Sequence, residues 1–560
     1  MAPDMEVPVL IVGAGPTGLA SAIGLAHGGA QSVVIERHPG TSIHPKARGV
    51  NVRTMEIFRQ WGVDAAVRAA GLSPEANGFF FRGPSLLADQ FERSGGGGLA
   101  TAAHMFSPET WMVISQDVLE PVLLAAARER GADIRFGHEL TALVQDRDGV
   151  TATIRERDGG RVSTIRAGWI VGADGADSPV RAAVGIELAG HGPLVDNVSI
   201  LFEASLGERI DDRRSAVYYI SDDPSARPRG HPMSVGNPPD AGVLLTVDNA
   251  DRWLLVVGES IDELDEPAAL RRVRRALGTD DLPIRILGMM PWSPAARVAE
   301  RYAAGRAFVA GDAAHQMTPS GAFGLNVGIA DAHNLAWKLA AVVAGWADDA
   351  LLATYDPERR PVGLFATDQS YQQFLGTRLA KPFGNWGVIL GARYASAAII
   401  PDGTAPAALD DPAVDYVPEA HPGARAPHAW LIGNGARRST LDLYGRSFAC
   451  IAGRRADAWE RAATSAADRL GIPLAVYRLG RDGEPEDPDA FERDHAIGEE
   501  GAILVRPDGH VAWRSTGGLS SDGAPMDDVL RRVAGAAVGP ERPARSAAST
   551  AASRGSGPRS

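Results

Sequence analysis

Cysteine is nearly absent from this chain. Cys450 is the single thiol in 560 residues, which excludes an internal disulfide and leaves no CxxC pattern for redox chemistry or zinc. Alone, it reads as a buried, apolar-type residue in a reducing compartment. Lysine is almost as rare: Lys46, Lys338 and Lys381 are the only ones, and arginine carries the remaining positive charge. The formal net charge of −13 and a pI near 5.5 argue against nucleic acid or an anionic membrane surface as the main partner. No apolar run is long enough to span a bilayer, and the opening MAPDME lacks the basic-then-apolar order of a secretory signal. A soluble, cytoplasmic protein without a metal site is expected.

What is present begins with length. A chain of 560 residues is too long for one core, so two to four domains are expected. The first informative stretch is VPVLIVGAGPTGLASAIGLAHGGAQSVVIER. Residues 9–12 are apolar and rich in β-branched side chains, as a buried parallel strand should be. Gly13, Gly15 and Gly18 follow as G-x-G-x-x-G: the first permits a tight turn, the second lets backbone approach a pyrophosphate, the third lets the helix pack against the strand. Ala14, Pro16 and Thr17 fill the pattern. Pro16 suits a first helical turn, whose free N–H groups and dipole favour phosphate. SVVIE supplies a second strand, and Glu36 stands where a ribose-binding carboxylate belongs. Strand, turn, helix, strand and acid in register predict a dinucleotide site. The pattern alone does not separate FAD from NAD(P), since both use this fold.

A second stretch, GRAFVAGDAAHQMTPSGAFGLNVGIADAHNLAWKLAAVVAG, covers residues 305–345. A short strand ends in Gly311-Asp312, a Gly/Pro/Ser loop follows, and a long apolar-periodic helix begins near residues 324–327. Asp312 at a strand end is placed to hydrogen-bond a polyol. Gly321 and Gly324 let backbone N–H groups approach a flat, electron-rich ring, and the helix would turn its positive end toward that ring. His315 reads as a packing or hydrogen-bonding residue, and His44 as a loop residue.

Three motifs in this order, GAGPTG (13–18), VGADGADSPVR (171–181) and GDAAHQMTPSGAFGLN (311–326), resemble the single-component flavoprotein aromatic hydroxylases, the para-hydroxybenzoate and phenol hydroxylase superfamily. HPKARGVNVRTMEIFRQWGV (44–63) is similar to the subgroup that tailors aromatic polyketides. The resemblance implies FAD at the first site, with NAD(P)H as a transient co-substrate and dioxygen as the oxidant. It places Gly13, Ala14, Gly15, Pro16, Thr17 and Gly18 at the pyrophosphate, and Glu36, Arg37 and Arg48 near the adenosine ribose and pyrophosphate. Gln116 falls on the ribityl–phosphate side and Asp312 on the ribityl hydroxyls. Pro319 falls near the reactive flavin edge, Gly324, Leu325 and Asn326 at the pyrimidine end, and Asp174 in the motif shared between FAD and nicotinamide nucleotide. Relatives often carry Gly-Gly where this chain has Gly321-Ala322, so an extra methyl stands close to the ring.

No second glycine-rich nucleotide fold follows. RSGGGGLA (93–100) has neither a preceding strand nor a following acid and reads as a loop, and no W-x-W-x-I-P segment of flavin halogenases occurs. One dinucleotide domain means that NAD(P)H visits, reduces the flavin and leaves. The flavin then meets dioxygen, and the resemblance implies a C4a-hydroperoxide aimed at an electron-rich carbon while the protein excludes water. The substrate sheet is expected within residues 185–285, where SAVYYIS, GVLLTVD and RWLLVVGES alternate as half-buried strands do. Tyr218, Tyr219, Met233 and Trp292, with Phe323 from the flavin loop, are candidates for the pocket wall. The pattern does not fix which face each one occupies. Tyr218 and His231 are the candidate bases for a phenolic hydroxyl, although an acidic phenol needs none.

The expected fold class is α/β + β: a Rossmann-type FAD-binding domain, an interleaved substrate domain with a β-sheet, and a C-terminal thioredoxin-like domain. The boundaries are 1–184 and 286–385 for the two parts of the FAD-binding domain and 185–285 for the substrate domain. A linker covers 386–422, the thioredoxin-like domain 423–538 and a disordered tail 539–560. With one cysteine, the last domain is expected to be structural and not redox-active, with a Pro-Asp-Gly hairpin turn in AILVRPDGHVAWR. The expected activity is NAD(P)H-dependent hydroxylation of a polycyclic aromatic of polyketide type by a monomer or homodimer. Baeyer–Villiger or ring-rearranging oxygenation is the alternative outcome, and sequestration of an aromatic drug without turnover is the non-catalytic one.

Overall fold

The computed structural model describes residues 3–95, 103–221, 242–378, 384–433, 435–519 and 525–536. His231, Met233, most of the glycine run at 93–100 and the tail from 539 lie outside the described residues.

The apolar strand Met5–Val12 runs in the middle of the first sheet. It pairs in parallel with Val162–Gly172 on one side and Ser32–Glu36 on the other. Asp133–Phe136 and Ala307–Val309 extend the parallel run outward. Val9, Leu10, Ile11 and Val12 are all buried because both faces of the sheet are covered. The helix Pro16–His27 and the long helix Gly324–Val343 lie on one face, and the antiparallel strands His138–Gln145 and Val150–Glu156 curl over the other. The two helices approach closely because small residues meet: a Cβ at Gly24 or Gly28 would stand 2.7 Å and 2.5 Å from the methyls of Ala336 and Ala340. This contact fixes the start of the long helix beside the Gly13–Gly18 turn.

A second sheet runs in the order Arg285–Trp292, Asn197–Glu203, Arg252–Val257, Gly242–Thr246, Val217–Ile220, Phe79–Gly83, Glu92–Gly95. The expected limits of 185–285 are therefore too narrow. The two strands at one end come from residues 79–95, inside the first part of the nucleotide-binding region, and the strand at the other end, Arg285–Trp292, runs past residue 285. The reason is pairing: Val217–Ile220 takes Phe79–Gly83 as a parallel neighbour, and only a segment arriving from far away in sequence can supply one. The helix Glu266–Leu277 is capped by Asp265, which accepts from the Ala268 N–H at 2.8 Å. It covers one face of the sheet with Ala269, Val273 and Leu277, against Phe202, Tyr218 and Trp253.

Near the C-terminus a four-stranded sheet has the order Leu474–Arg478, Phe448–Ala452, Ala502–Val505, Val511–Ser515, the first pair parallel and the rest antiparallel. The helices Asp457–Leu470 and Met526–Val533 pack on it. Cys450 is fully buried in its second strand, where burial pushes the thiol up to about 12. Among the described residues no helix is long and apolar enough to cross a membrane.

Candidate active site

The two glycine-rich stretches, some 300 residues apart in sequence, meet at one side chain. Thr17 Oγ1 lies 2.5 Å from where a Cβ would stand on Gly311 and 2.5 Å from where one would stand on Gly328. Only glycines let the first helix, the 311–312 turn and the long helix come this close. Gly13, at φ +101, has the Ala173 carbonyl against its Cα, and Gly18 has the Gly13 carbonyl, so a methyl at either would overlap backbone. Gly15 is different: a Cβ there meets nothing within 4 Å, and its φ of −73 suits any residue. The open space over Gly15, at the head of a helix, is where a pyrophosphate would approach.

Glu36 braces the chain besides standing where the ribose contact is expected. Its carboxylate accepts from the Ala14 N–H at 2.8 Å and the His38 N–H at 2.9 Å, bracing the glycine turn. Arg37 is exposed at the end of the same strand. Asp174 follows Ala173, the residue packed on Gly13. One of its oxygens accepts from the Val180 N–H at 3.0 Å, and the other is buried with no partner. Burial pushes this carboxyl up. Arg181, from the same motif, donates to the Ala313 carbonyl at 3.0 Å, so the second and third motifs are tied together. Asp312 is exposed, yet the protein around it displaces enough water to push its carboxyl up as well.

The segment around HPKARG is held to the helix Gln116–Glu129. The Gln116 N–H donates to the Ala47 carbonyl at 2.8 Å, and its amide donates to Glu120, which accepts from the Ser42 N–H at 2.6 Å. Arg48 reaches toward the second sheet. Its guanidinium donates to the Ala216 carbonyl at 2.7 Å, at the edge of the second sheet, while Nε and Nη2 are buried without partners. Burial lowers its pKa to about 10. Nearby Asp117 accepts from Arg252 at 2.8 Å and keeps a buried, unpartnered Oδ1. Sequence reasoning missed Asp117, Arg252 and Glu120, which match no motif.

Asn326 has no side-chain capacity to spare. Its amide donates to the Gly49 and Ala322 carbonyls (2.9 and 2.7 Å) and accepts from the Asn51 N–H and Thr54 hydroxyl (2.8 and 2.7 Å). It locks the 322–326 loop onto the 49–54 segment, and only backbone at Gly324, Leu325 and Asn326 is left to meet a ring. Pro319 sits in a loop pinned on both sides by Ser370, whose hydroxyl contacts the Thr318 and Ser320 carbonyls at 2.9 and 3.0 Å. Ala322 adopts φ +53, a left-handed conformation costly for any residue with a Cβ. Ala322→Gly relieves roughly 1–2 kcal/mol of that strain and gives back roughly 0.5–1 kcal/mol to a freer unfolded chain. A net gain of about 0.5–1 kcal/mol is expected, to be read in denaturant titration of the two proteins.

Two residues proposed for the substrate wall belong elsewhere. Phe323 is 2% exposed, packed with Val327, Ala366, Val388 and Ala413 under the long helices, and its ring fills the space beside Gly321. Tyr218 is 2% exposed on the helix-covered face of the second sheet. Its hydroxyl donates to the Arg213 carbonyl and accepts from the Ser215 N–H, both at 2.9 Å, and burial raises its pKa. A spoken-for phenol of raised pKa makes a poor base. Tyr218→Phe is expected to cost about 1–2 kcal/mol of stability while leaving the pH–rate profile in place, whereas a base would take its limb of the profile with it.

Alternation along the strands puts Tyr219 and Trp292 on the opposite, cleft-side face. Leu201, Val243, Leu254 and Val256 make that face apolar, and the Trp292 indole donates to Ser199 at 2.9 Å. Gly288, two pleats from Trp292, lies against the His44 ring, where a Cβ would come within 3.4 Å. The apolar face therefore looks across at the 44–48 segment and the nucleotide cleft.

The chain matches the FAD binding domain family over residues 6–370 and the aromatic-ring hydroxylase C-terminal family over 419–537. A putative polyketide hydroxylase of Streptomyces halstedii is 43% identical, with 91% of this chain and 93% of the relative aligned. Among solved structures, the flavin-dependent monooxygenase PieE in complex with FAD and substrate has a TM-score of 0.85 at 34% identity, covering 95% of this chain and all of that one. A ternary complex of aklavinone-11 hydroxylase with FAD and aklavinone has a TM-score of 0.83 at 35% identity, covering 95% of this chain and 99% of that one.

Proposed function

Because this chain belongs to the FAD-dependent aromatic-ring monooxygenases, we propose that it hydroxylates a polycyclic phenol of polyketide type, with electrons from NAD(P)H and oxygen from dioxygen. The observation that carries the reading is the junction at Thr17, where the two glycine-rich stretches meet, with the apolar face of Tyr219 and Trp292 on the second sheet. Relatives that act on polyketides support the substrate class.

The residues present fit FAD. Open space lies over Gly15, and unpartnered buried atoms on Asp174, Arg48 and Asp117 stand ready for a polar partner. Gly13, Gly15 and the N-terminus of the helix Pro16–His27 would hold the pyrophosphate, Glu36 the adenosine ribose and Asp312 the ribityl chain. Bound FAD, once reduced, supplies the activation of dioxygen and the transfer of one oxygen atom. The chain's own work is to orient and to keep dry. Asn326 fixes the ring-side loop, Ser370 fixes Pro319, and Tyr219, Trp292 and their apolar neighbours present a flat, water-excluding wall to an aromatic face. With Tyr218 committed elsewhere, an acidic phenol can enter already ionised and no protein base is required. The C-terminal β-α-β unit, hairpin and helix are read as a thioredoxin-like fold without redox function, since its one thiol is buried and raised.

Anaerobic mixing of the flavoprotein with NADPH, with and without anthraquinone- and tetracene-like phenols, tests the reading. One ligand class is expected to speed bleaching of the flavin strongly. Equally slow bleaching with every ligand, together with tight ligand binding, would favour a sequestering protein instead.

A further inference from the structure

Asp331 and Lys338 are the two formal charges of a largely apolar helix, and both are fully buried. Each is part of a network reaching from the cofactor cleft to the C-terminal hairpin. At the cleft end, the Asp331 carboxylate accepts from the Gly311 N–H at 3.2 Å, His315 Nε2 at 2.7 Å and Arg359 Nε at 2.8 Å. Gly311 is the residue before Asp312, so Asp331 holds the turn that presents Asp312 to the cleft. Arg359 reaches further. Its Nη2 donates to the Val327 carbonyl at 3.2 Å, in the first turn of the long helix, and its Nη1 donates to the Tyr394 hydroxyl at 3.0 Å. One guanidinium therefore spans the ribityl-side turn and the ring-side helix start.

Tyr394 carries the connection across to the C-terminal hairpin. Its ring stacks on His510 at 3.9 Å between centroids, and the Arg506 guanidinium lies 5.4 Å from it. Arg506 is gripped by Glu358 (2.6 and 2.8 Å) and by Asp508 (3.1 and 2.5 Å). Glu358, next to Arg359 in sequence, also accepts from Lys338 at 2.7 Å and Asn334 at 2.8 Å. Neighbouring residues on one helix thus face opposite duties, Arg359 toward the cleft and Glu358 toward the hairpin.

We propose that Asp331 and Arg359 are positioning residues for FAD, and that the C-terminal hairpin holds Arg359 in place through Tyr394 and His510. The structure gives the C-terminal domain a part in the oxygenation site that its distance conceals: it sets the spacing between the Gly311–Asp312 turn and the first turn of the long helix. A shift of that spacing moves the ribityl contact relative to the ring contact, which binding and reactivity both register. This inference rests on the reading that one flavin spans both glycine-rich stretches.

The test uses full-length protein carrying Asp331→Asn or Tyr394→Phe, the second removing only a hydroxyl and keeping the stacked ring. FAD affinity and the flavin midpoint potential are measured without any aromatic substrate, beside thermal stability. Asp331→Asn is expected to weaken FAD binding about tenfold, and Tyr394→Phe about threefold, each with a displaced potential. With a turned-over substrate, hydroxylated product per NAD(P)H should fall in both while KM stays within about twofold. Folded variants with parental FAD affinity and potential, changed only in thermal stability, would overturn the proposal and leave the network purely structural. If Asp331→Asn fails to fold, Tyr394→Phe decides by the same readouts. A parent protein that binds no FAD would sink the underlying reading instead, so the two failures are distinguishable.

Discussion

Gly15→Val should yield a folded protein that has lost its flavin. The Cβ position at Gly15 has no neighbour within 4 Å, and the backbone there, at φ −73 and ψ −178, is one that β-branched residues favour. Nothing in the chain lies within 4 Å of the first side-chain carbon, and the apoprotein's thermal midpoint should stay near the parent's. The branched side chain would occupy the space over the helix N-terminus, so FAD affinity should fall by about 100-fold or more. Gly18→Ala provides the contrast, because its methyl would overlap the Gly13 carbonyl and must push the helix off the strand. That variant should lose stability and flavin together. Equilibrium dialysis of FAD beside calorimetry of the apoproteins separates the two, and a Gly15→Val protein that still binds FAD tightly would place the pyrophosphate elsewhere.

Glu358→Ala should be among the most damaging single changes to stability. Glu358 is the shared partner of Lys338, Arg506 and Asn334, all buried, and of half-buried Ser396. Removing it leaves buried Lys338 without its carboxylate and Arg506 with Asp508 alone, a loss of about 3–5 kcal/mol. Burial alone would push the Glu358 carboxyl up, but Arg506 and Lys338 outweigh it and hold it far below the ordinary carboxylate range. Asp508 is held low against burial by Arg506 in the same way. For carboxyls depressed in the folded state, the stabilisation is present above their unfolded pKa values and is lost as pH falls through the folded ones. Stability of the parent should therefore start to fall as pH drops into the ordinary carboxylate range and keep falling well below it, and Glu358→Ala should blunt this acid limb while lowering the neutral-pH plateau. Denaturant midpoints across pH read both features, and an unchanged plateau would mean that Glu358 is not the hub of this cluster.

Much of the cleft was legible in the sequence because its parts are local. Strand, glycine turn and helix follow one another within residues 5–27, and backbone sterics at Gly13 and Gly18 depend on neighbours a few residues away. The Pro-Asp-Gly hairpin was legible for the same reason. Its contents were not: Arg506, Asp508 and His510 look like a solvated turn, yet all three are buried, because the turn inserts against Lys338 and Glu358 from distant helices. The one hint was the pair of charges Asp331 and Lys338 on an apolar helix, since buried charges demand partners.

Alternation told that Tyr218 and Tyr219 face opposite ways, but not which of them meets the cleft. That depended on where the helix Glu266–Leu277 docks. Phe323 misled for a related reason: a phenylalanine beside glycines near a cofactor suggests a pocket wall, whereas the missing side chain at Gly321 makes room for its ring inside the core. The strands at 79–95 escaped because parallel pairing of Phe79–Gly83 with a strand some 140 residues later leaves no local trace.

The most direct measurement is turnover with heavy-isotope dioxygen and NADPH on a polycyclic phenol that speeds flavin reduction, with the product read by mass spectrometry. One labelled oxygen in a new ring hydroxyl, formed in proportion to NADPH consumed, is the expected result. Label inserted beside a carbonyl, or NADPH consumed with unchanged aromatic and only peroxide formed, would contradict it.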